Sequence, residues 1–214
     1  MRGLYPIVDV DTLQGRGAAL SVLAFAEQVL TVRPPLLQLR AKHSGARDTL
    51  ELLRALRPLC TRAGALLFAN DRPDLAQLGE CDGVHVGQED LPLSVVRKIA
   101  PGLLVGVSTH NAAQLAEALA EKPDYVAFGP VFGTVSKERP DATVGVMQLT
   151  EAHNAARRAG IPLVAIGGIN LERAREIAPH CDLASVIAAL QPNPGSLAGV
   201  SEVALALHSA LVQT

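Results

Sequence analysis

Eight short apolar runs alternate with eight amphipathic stretches along this chain, and few architectures accept that rhythm. The runs cover residues 4–10, 36–40, 65–70, 83–87, 103–108, 125–130, 162–168 and 183–190. Between them, helical periodicity marks residues 18–30, 46–63, 73–78, 93–100, 112–121, 146–159, 171–178 and 200–212. The runs are almost continuously apolar, as strands buried on both faces must be, and their helical connections imply a parallel sheet. Eight such units predict an α/β chain closed into a (β/α)8 TIM barrel. An open doubly wound sheet is the alternative, but it would carry a glycine-rich first turn. Val8-Asp9-Val10-Asp11-Thr12 is not one. No linker or low-complexity segment divides residues 1–214, which predicts one domain.

An aspartate stands immediately before three of the even-numbered strands, as Asp82, Asp124 and Asp182. These positions fall at the amino ends of strands, the stability face of a barrel, so they are read as structural. The stretch 183–201 is broken by Gln191-Pro192-Asn193-Pro194-Gly195-Ser196, so no membrane span is expected. The start of the chain lacks the apolar core of a signal peptide. Three cysteines (Cys60, Cys81, Cys181) without a CxxC pair fit reduced thiols in a cytoplasmic protein. A net charge of -2 and only 3% aromatic residues argue against a nucleic-acid partner. The apolar stretch 200–212 suits packing or a homo-oligomer equally well.

In a barrel the chemistry sits where strands end, and several strands here end in polar clusters. Gln38, Arg40 and Lys42 are spaced two apart, so an extended strand points them to one side. An amide and two cations on one ridge suit an anion attached to a hydrogen-bonding ring. The third strand runs into Asn70-Asp71-Arg72-Pro73, the fourth into His85-Val86-Gly87-Gln88-Glu89-Asp90, and the fifth into Gly106-Val107-Ser108. Asp71 and Asp90 follow adjacent strands, where two carboxylates repel unless a cation lies between them. Mg²⁺ held by both and completed by substrate phosphate would meet that need. Helix capping by Asp71 before Pro73, and by Asp90 before Leu91-Pro92, is the simpler alternative. Gly167 and Gly168 after the seventh strand suit the phosphate site usual in this fold. The loop 131–145 adds Thr134, Ser136 and Lys137 and can close over a ligand. There is no HExxH, GxSxG or GxxxxGK[ST] pattern.

Taken together and in this order, Gln38–Lys42, Asn70-Asp71, His85–Asp90, Gly106–Ser108, Gly129–Phe132, Thr134–Lys137 and Ala165–Ile169 resemble the thiamine phosphate synthase family. The resemblance runs from Leu4 to about Leu190. It implies a transferase that joins a pyrimidinylmethyl diphosphate to a thiazole phosphate and releases pyrophosphate. Its partners would be these small-molecule substrates. It further implies Mg²⁺ on Asp71 and Asp90, and pyrophosphate on Arg40, Lys42, Asn70, Ser108 and Lys137. Gln38 would meet the aminopyrimidine ring, with His85 nearby. Thr134, Ser136, Gly167, Gly168 and the amides near Ala188 would hold the thiazole phosphate.

Three positions depart from the family's usual pattern. Ser136 replaces Thr, Leu183 stands where Gly is usual, and Ala188 where Ser is usual. The last change removes a hydroxyl worth ~1.5–3 kcal/mol to a charged phosphate. Two alternatives follow: a thiazole tautomerase, whose relatives tend to lose the carboxylates and carry His at the place of Pro130, and a non-catalytic phosphate-ligand sensor.

Overall fold

Eight parallel strands close on one another in chain order, β1 pairing with both β2 and β8. They are β1 (Gly3–Asp9), β2 (Leu36–Arg40), β3 (Leu66–Asn70), β4 (Gly83–Val86), β5 (Leu104–Thr109), β6 (Tyr125–Phe128), β7 (Leu163–Ile166) and β8 (Leu183–Val186). The computed structural model describes residues 1–15, 21–133 and 142–212. The helices are α1 (Val10–Gly15), α2 (Val22–Leu30), α3 (Ala46–Ala63), α4 (Pro73–Leu78), α5 (Leu93–Ile99), α6 (Ala112–Glu121), α7 (Gly145–Ala159), α8 (Leu171–Ile177) and α9 (Val200–Val212). Among the described residues no helix is long and apolar enough to cross a membrane.

The expected barrel is therefore the observed one. Helices α3, α4, α6 and α9 occupy the spans their periodicity predicts, and local chemistry explains the ends. Gly64 terminates α3 in a left-handed conformation (φ 74°), its N–H returning to Cys60 and Thr61. Asn111 starts α6 by accepting the Gln114 N–H on its side chain. Two elements differ from expectation. A short helix, α1, follows β1 directly, and the apolar run 183–190 is a strand only to Val186, winding at Ala188–Leu190 into a 3-10 turn. Apolarity alone cannot tell a buried strand from the buried turn that follows it. Helix α2 begins at Val22, capped by Ser21, and the expected start at 18–20 lies outside the described residues.

Strand side chains alternate between two cores. Leu37, Leu39, Val84 and Val126 face outward against Leu53, Leu56, Leu149 and Leu207 of the helices. Tyr5, Leu36, Phe68, Tyr125, Ala127, Val164 and Leu183 fill the barrel itself. Both tyrosines of the chain are thus spent on the interior. They meet Phe68 and each other edge to face, with ring centroids 5.6–6.5 Å apart. Room for these rings comes from two strand glycines. A Cβ on Gly106 would lie 2.0 Å from Cζ of Tyr125, and one on Gly83 2.4 Å from Cε1 of Phe68. Leu183 opens β8 inside this cluster, so it packs the amino-end half of the barrel and lies away from the carboxyl rim.

Asp82, Asp124 and Asp182 form one repeated clamp. Each donates its N–H to a carbonyl on the preceding strand and accepts that same residue's N–H on its carboxylate. The partners are Leu67 (2.9 and 2.7 Å), Val105 (2.9 and 2.8 Å) and Leu163 (2.9 and 2.9 Å). Parallel strands need such anchors because no hairpin ties their ends. Asp124→Ala should lower unfolding free energy in urea by ~1–3 kcal/mol, the cost of stranding a half-buried N–H. Asp74→Ala, which removes an exposed pair with Arg72, should cost under ~1 kcal/mol.

Candidate active site at the carboxyl rim

Gln38 and Arg40 share the inner side of β2, as their spacing predicts, and Lys42 continues past the strand end. Each is held by a different partner. Gln38 is buried and donates its side-chain N–H to the Tyr5 hydroxyl at 2.8 Å. Arg40 pairs through Nη1 with Asp9, and Lys42 lies 3.4 Å from the Asp71 carboxylate. Asp9 is a site residue that motif reading passed over. It is 2% exposed, and its second oxygen accepts the Thr12 N–H and hydroxyl at 2.9 and 2.7 Å. A carboxylate anchored on three donors keeps the Arg40 guanidinium at the rim. The legible signal was a charge at the carboxyl end of an otherwise apolar strand.

Asp71 occupies the left-handed region (φ 61°), donating its N–H to the His85 carbonyl at 2.8 Å. That turn aims its carboxyl at Asp90 and Lys42 rather than at the helix behind it. Neither aspartate caps a helix. The cap of α4 is Arg72 and that of α5 is Pro92, both without a side-chain cap bond. Asp90 is instead fixed by the Gly87 N–H, which it accepts at 2.7 Å. Burial, reinforced by the facing Asp90, pushes the Asp71 carboxyl up to about 6, against the opposing pull of Lys42. Two carboxyls pressed together beside a lysine suit a divalent cation with open positions for phosphate oxygens. Among the described residues no third His, Cys, Asp or Glu joins them, so such an ion would complete its shell from ligand and water.

The inner wall continues as a chain of hydrogen bonds. Tyr5 and Tyr125 hydroxyls meet at 2.9 Å, Tyr125 reaches His85 Nδ1 at 2.8 Å, and His85 Nε2 reaches Ser108 Oγ at 2.8 Å. Burial holds both phenols well above their ordinary pKa, so both stay protonated. Asn70 ends β3 opposite His85 in register, half-buried. Gln88 ties the next loop down by donating to the Ser108 carbonyl at 2.6 Å.

The opposite side of the rim is built differently. β7 stands four strands from β3 in the closed ring. Gly167 and Gly168 follow it with φ 103° and 63°. Side chains there would collide, a Cβ on Gly167 lying 2.4 Å from Pro130 and one on Gly168 2.3 Å from the Gly133 carbonyl. Phe132 donates its N–H to the Gly167 carbonyl, while Arg173 donates to that of Gly168 and lies over the Phe132 ring. Ala188 begins the 3-10 turn on the neighbouring strand. Ser185 was also missed by motif reading. Its hydroxyl is buried and has no hydrogen-bond partner among the described residues. Thr134, Ser136 and Lys137 lie outside the described residues.

A closed parallel barrel with cations, paired carboxylates and a glycine turn along its carboxyl rim defines a (β/α)8 barrel enzyme. Residues 4–190 match the family model described as thiamine monophosphate synthase. A thiamine-phosphate synthase of Chlorobium phaeovibrioides (strain DSM 265 / 1930) is 42% identical over 159 residues, covering 74% of this chain and 75% of the relative. One from Koribacter versatilis (strain Ellin345) is 40% identical over 212 residues, covering 96% of each. Among solved structures, a thiamine phosphate pyrophosphorylase from Pyrococcus furiosus superposes with a TM-score of 0.83 at 30% identity, over 99% of this chain and 96% of that one. The chain belongs to the thiamine monophosphate synthase family.

Asp71's folded-state value near 6 lies above the ~3.9 of an unfolded aspartate. Its contribution therefore favours the fold below about pH 4 and is lost as pH rises through about 6. In urea unfolding with a chelator, Asp71→Asn should gain ~1–2 kcal/mol more stability at pH 8 than at pH 4.5. A pH-independent difference would show that the Asp71 carboxyl is not raised in the folded protein.

Proposed function

We propose that this chain joins a pyrimidinylmethyl diphosphate to a thiazole phosphate, forming thiamine phosphate and releasing pyrophosphate. The observation that carries this reading is the Asp71–Asp90 pair flanked by Lys42, with Arg40 at the end of the adjacent strand β2 and the Gly167-Gly168 turn across the rim. Two anionic groups on opposite sides leave the reacting carbon and nitrogen between them, above the aromatic floor.

The carbon–oxygen bond of the pyrimidine substrate breaks, its electron pair leaving with pyrophosphate. The thiazole nitrogen then forms the new carbon–nitrogen bond with its own lone pair. No base is required, which accounts for a site without a nucleophile–base pair. Arg40 and Lys42, with Asn70, Ser108 and Lys137, meet the charge that grows on the departing group, where preorganised donors lower the barrier most. Asp71 and Asp90 would hold Mg²⁺, which when bound supplies further neutralisation of that charge. Gln38 orients the aminopyrimidine ring, with His85 behind it. Gly167, Gly168, Thr134, Ser136 and the amide of Ala188 hold the thiazole phosphate, so that the two reactants meet as neighbours. The three free, buried cysteines support a cytoplasmic location.

Mixing both phosphorylated halves with Mg²⁺ should release pyrophosphate only when all three are present. Isomerised thiazole phosphate without metal would instead indicate a tautomerase, and binding without turnover a sensor. Asp71→Asn and Lys42→Ala should each cut turnover by ~10² or more. Near-normal rates in both variants would overturn the site assignment. Ala188→Ser should lower the KM for thiazole phosphate by about tenfold through one added charge-assisted hydrogen bond, leaving that of the pyrimidine diphosphate unchanged.

A further inference from the structure

With the Gln38 amide nitrogen turned to Tyr5, the hydrogen-bonded chain inside the barrel has one direction that satisfies every proton. Gln38 donates to Tyr5, so the Tyr5 hydroxyl proton must find another acceptor. Its remaining partner is the Tyr125 oxygen at 2.9 Å. Tyr125 then accepts from Tyr5 and must place its own proton on His85 Nδ1, 2.8 Å away. An imidazole that accepts at Nδ1 carries its proton at Nε2 and donates it to Ser108 Oγ, again at 2.8 Å. With Gln38 so turned, the reverse order fails. If Tyr125 donated to Tyr5, the Tyr5 oxygen would accept twice while its own proton, in a residue 1% exposed, met no acceptor. A stranded buried donor is what folded proteins avoid.

We propose that Tyr5 and Tyr125 are positioning residues: their hydroxyls run one polarised relay from Gln38 to Ser108, which locks His85 as the neutral Nε2–H tautomer. Both ends of the relay are set by that direction. At one end Gln38 commits one of its two amide N–H bonds to Tyr5, which turns its side-chain carbonyl oxygen away from Tyr5 to accept from a ligand amine. At the other, Ser108 receives a hydrogen bond from His85, so its own proton points away as a donor. A hydroxyl that accepts one bond donates a stronger one to an anion. The identity of those ligand groups, an amine on the pyrimidine and an oxygen of the departing pyrophosphate, rests on the synthase reading above.

The relay also explains an otherwise costly choice in the barrel floor. Phenylalanine would fill the same volume as either tyrosine with no burial of polar atoms. Gly106 is kept bare so that the Tyr125 ring can lie where its oxygen reaches both Tyr5 and His85, and His85 stacks on that ring at 5.6 Å. The raised pKa of both phenols keeps the two protons in place across the working range.

The test is nitrogen-15 NMR of the full-length chain labelled at histidine, the His85 signals being assigned by their loss in His85→Asn. The expected spectrum shows His85 protonated at Nε2 alone in the unsubstituted protein. It should stay so in Tyr5→Phe, where Tyr125 still donates, whereas in Tyr125→Phe the unprotonated Nδ1 resonance should move downfield, towards that of an imidazole nitrogen accepting no hydrogen bond. Kinetically, Tyr125→Phe should lower kcat for pyrophosphate release about tenfold with the KM for thiazole phosphate unchanged. Placed on a Ser108→Ala background it should cost nothing further, because its effect passes through Ser108. An Nδ1–H tautomer in the unsubstituted protein, or losses that multiply in the double variant, would overturn the relay. The first readout needs no turnover and is taken on the unsubstituted protein. A protein that released no pyrophosphate would therefore sink the synthase reading while the tautomer still judged the relay.

Discussion

A closed barrel of eight strands has an interior that must be filled, and here the filling is also the floor of the site. Void space inside would forfeit dispersion contacts, and water there would weaken every charge interaction above it. The chain meets this constraint with two tyrosines and a phenylalanine admitted by two glycines. Rings supply volume, while the two phenolic oxygens create a demand for partners that apolar side chains would not. That demand links β1, β2, β4, β5 and β6 across the barrel and ends on side chains that face the rim. Packing and chemistry are therefore the same set of contacts seen from below and from above.

Charge at the rim follows a complementary logic. Arg40 is tethered by Asp9, Lys42 leans on Asp71, and Asp71 is pressed towards Asp90. In the free protein these contacts only partly cancel the cost of gathering like charges in a half-buried place. A site that holds two carboxyls close together carries a cost in the free protein, and the left-handed backbone at Asp71 is a further local strain of the kind found at functional positions. The clamps at Asp82, Asp124 and Asp182 work at the opposite end of the same strands, where no chemistry is needed and stability is added without constraining the rim.

Much of this was legible in the chain itself. Strand order, the helices at residues 46–63, 73–78, 112–121 and 200–212, and the structural role of the three aspartates follow from periodicity and position. So does the ridge of Gln38 and Arg40, because a strand alternates its side chains whatever surrounds it. Other features left no local trace. Tyr5 and Tyr125 are 120 residues apart and read as two ordinary core aromatics. Asp9 reads as the polar end of an apolar run, and its hold on Arg40 exists only because β1 and β2 pair in one register. Leu183 stands at a position where the family usually has glycine, yet it bears on packing at the amino end rather than on phosphate. Whether an aspartate caps a helix or faces a second aspartate depends on the φ of one residue, which composition does not reveal.

The sequence alone determined the kind of object this is: eight strand–helix units, apolar where both strand faces are covered, with polar residues gathered at the strand ends. Those properties are local, set by the repeat of side-chain directions and by turn residues. Only the tertiary structure decided which polar groups meet, in what order their protons run, and which residues serve the floor rather than the rim. The reason is geometric, since closing the ring brings distant strands within hydrogen-bond reach of one another.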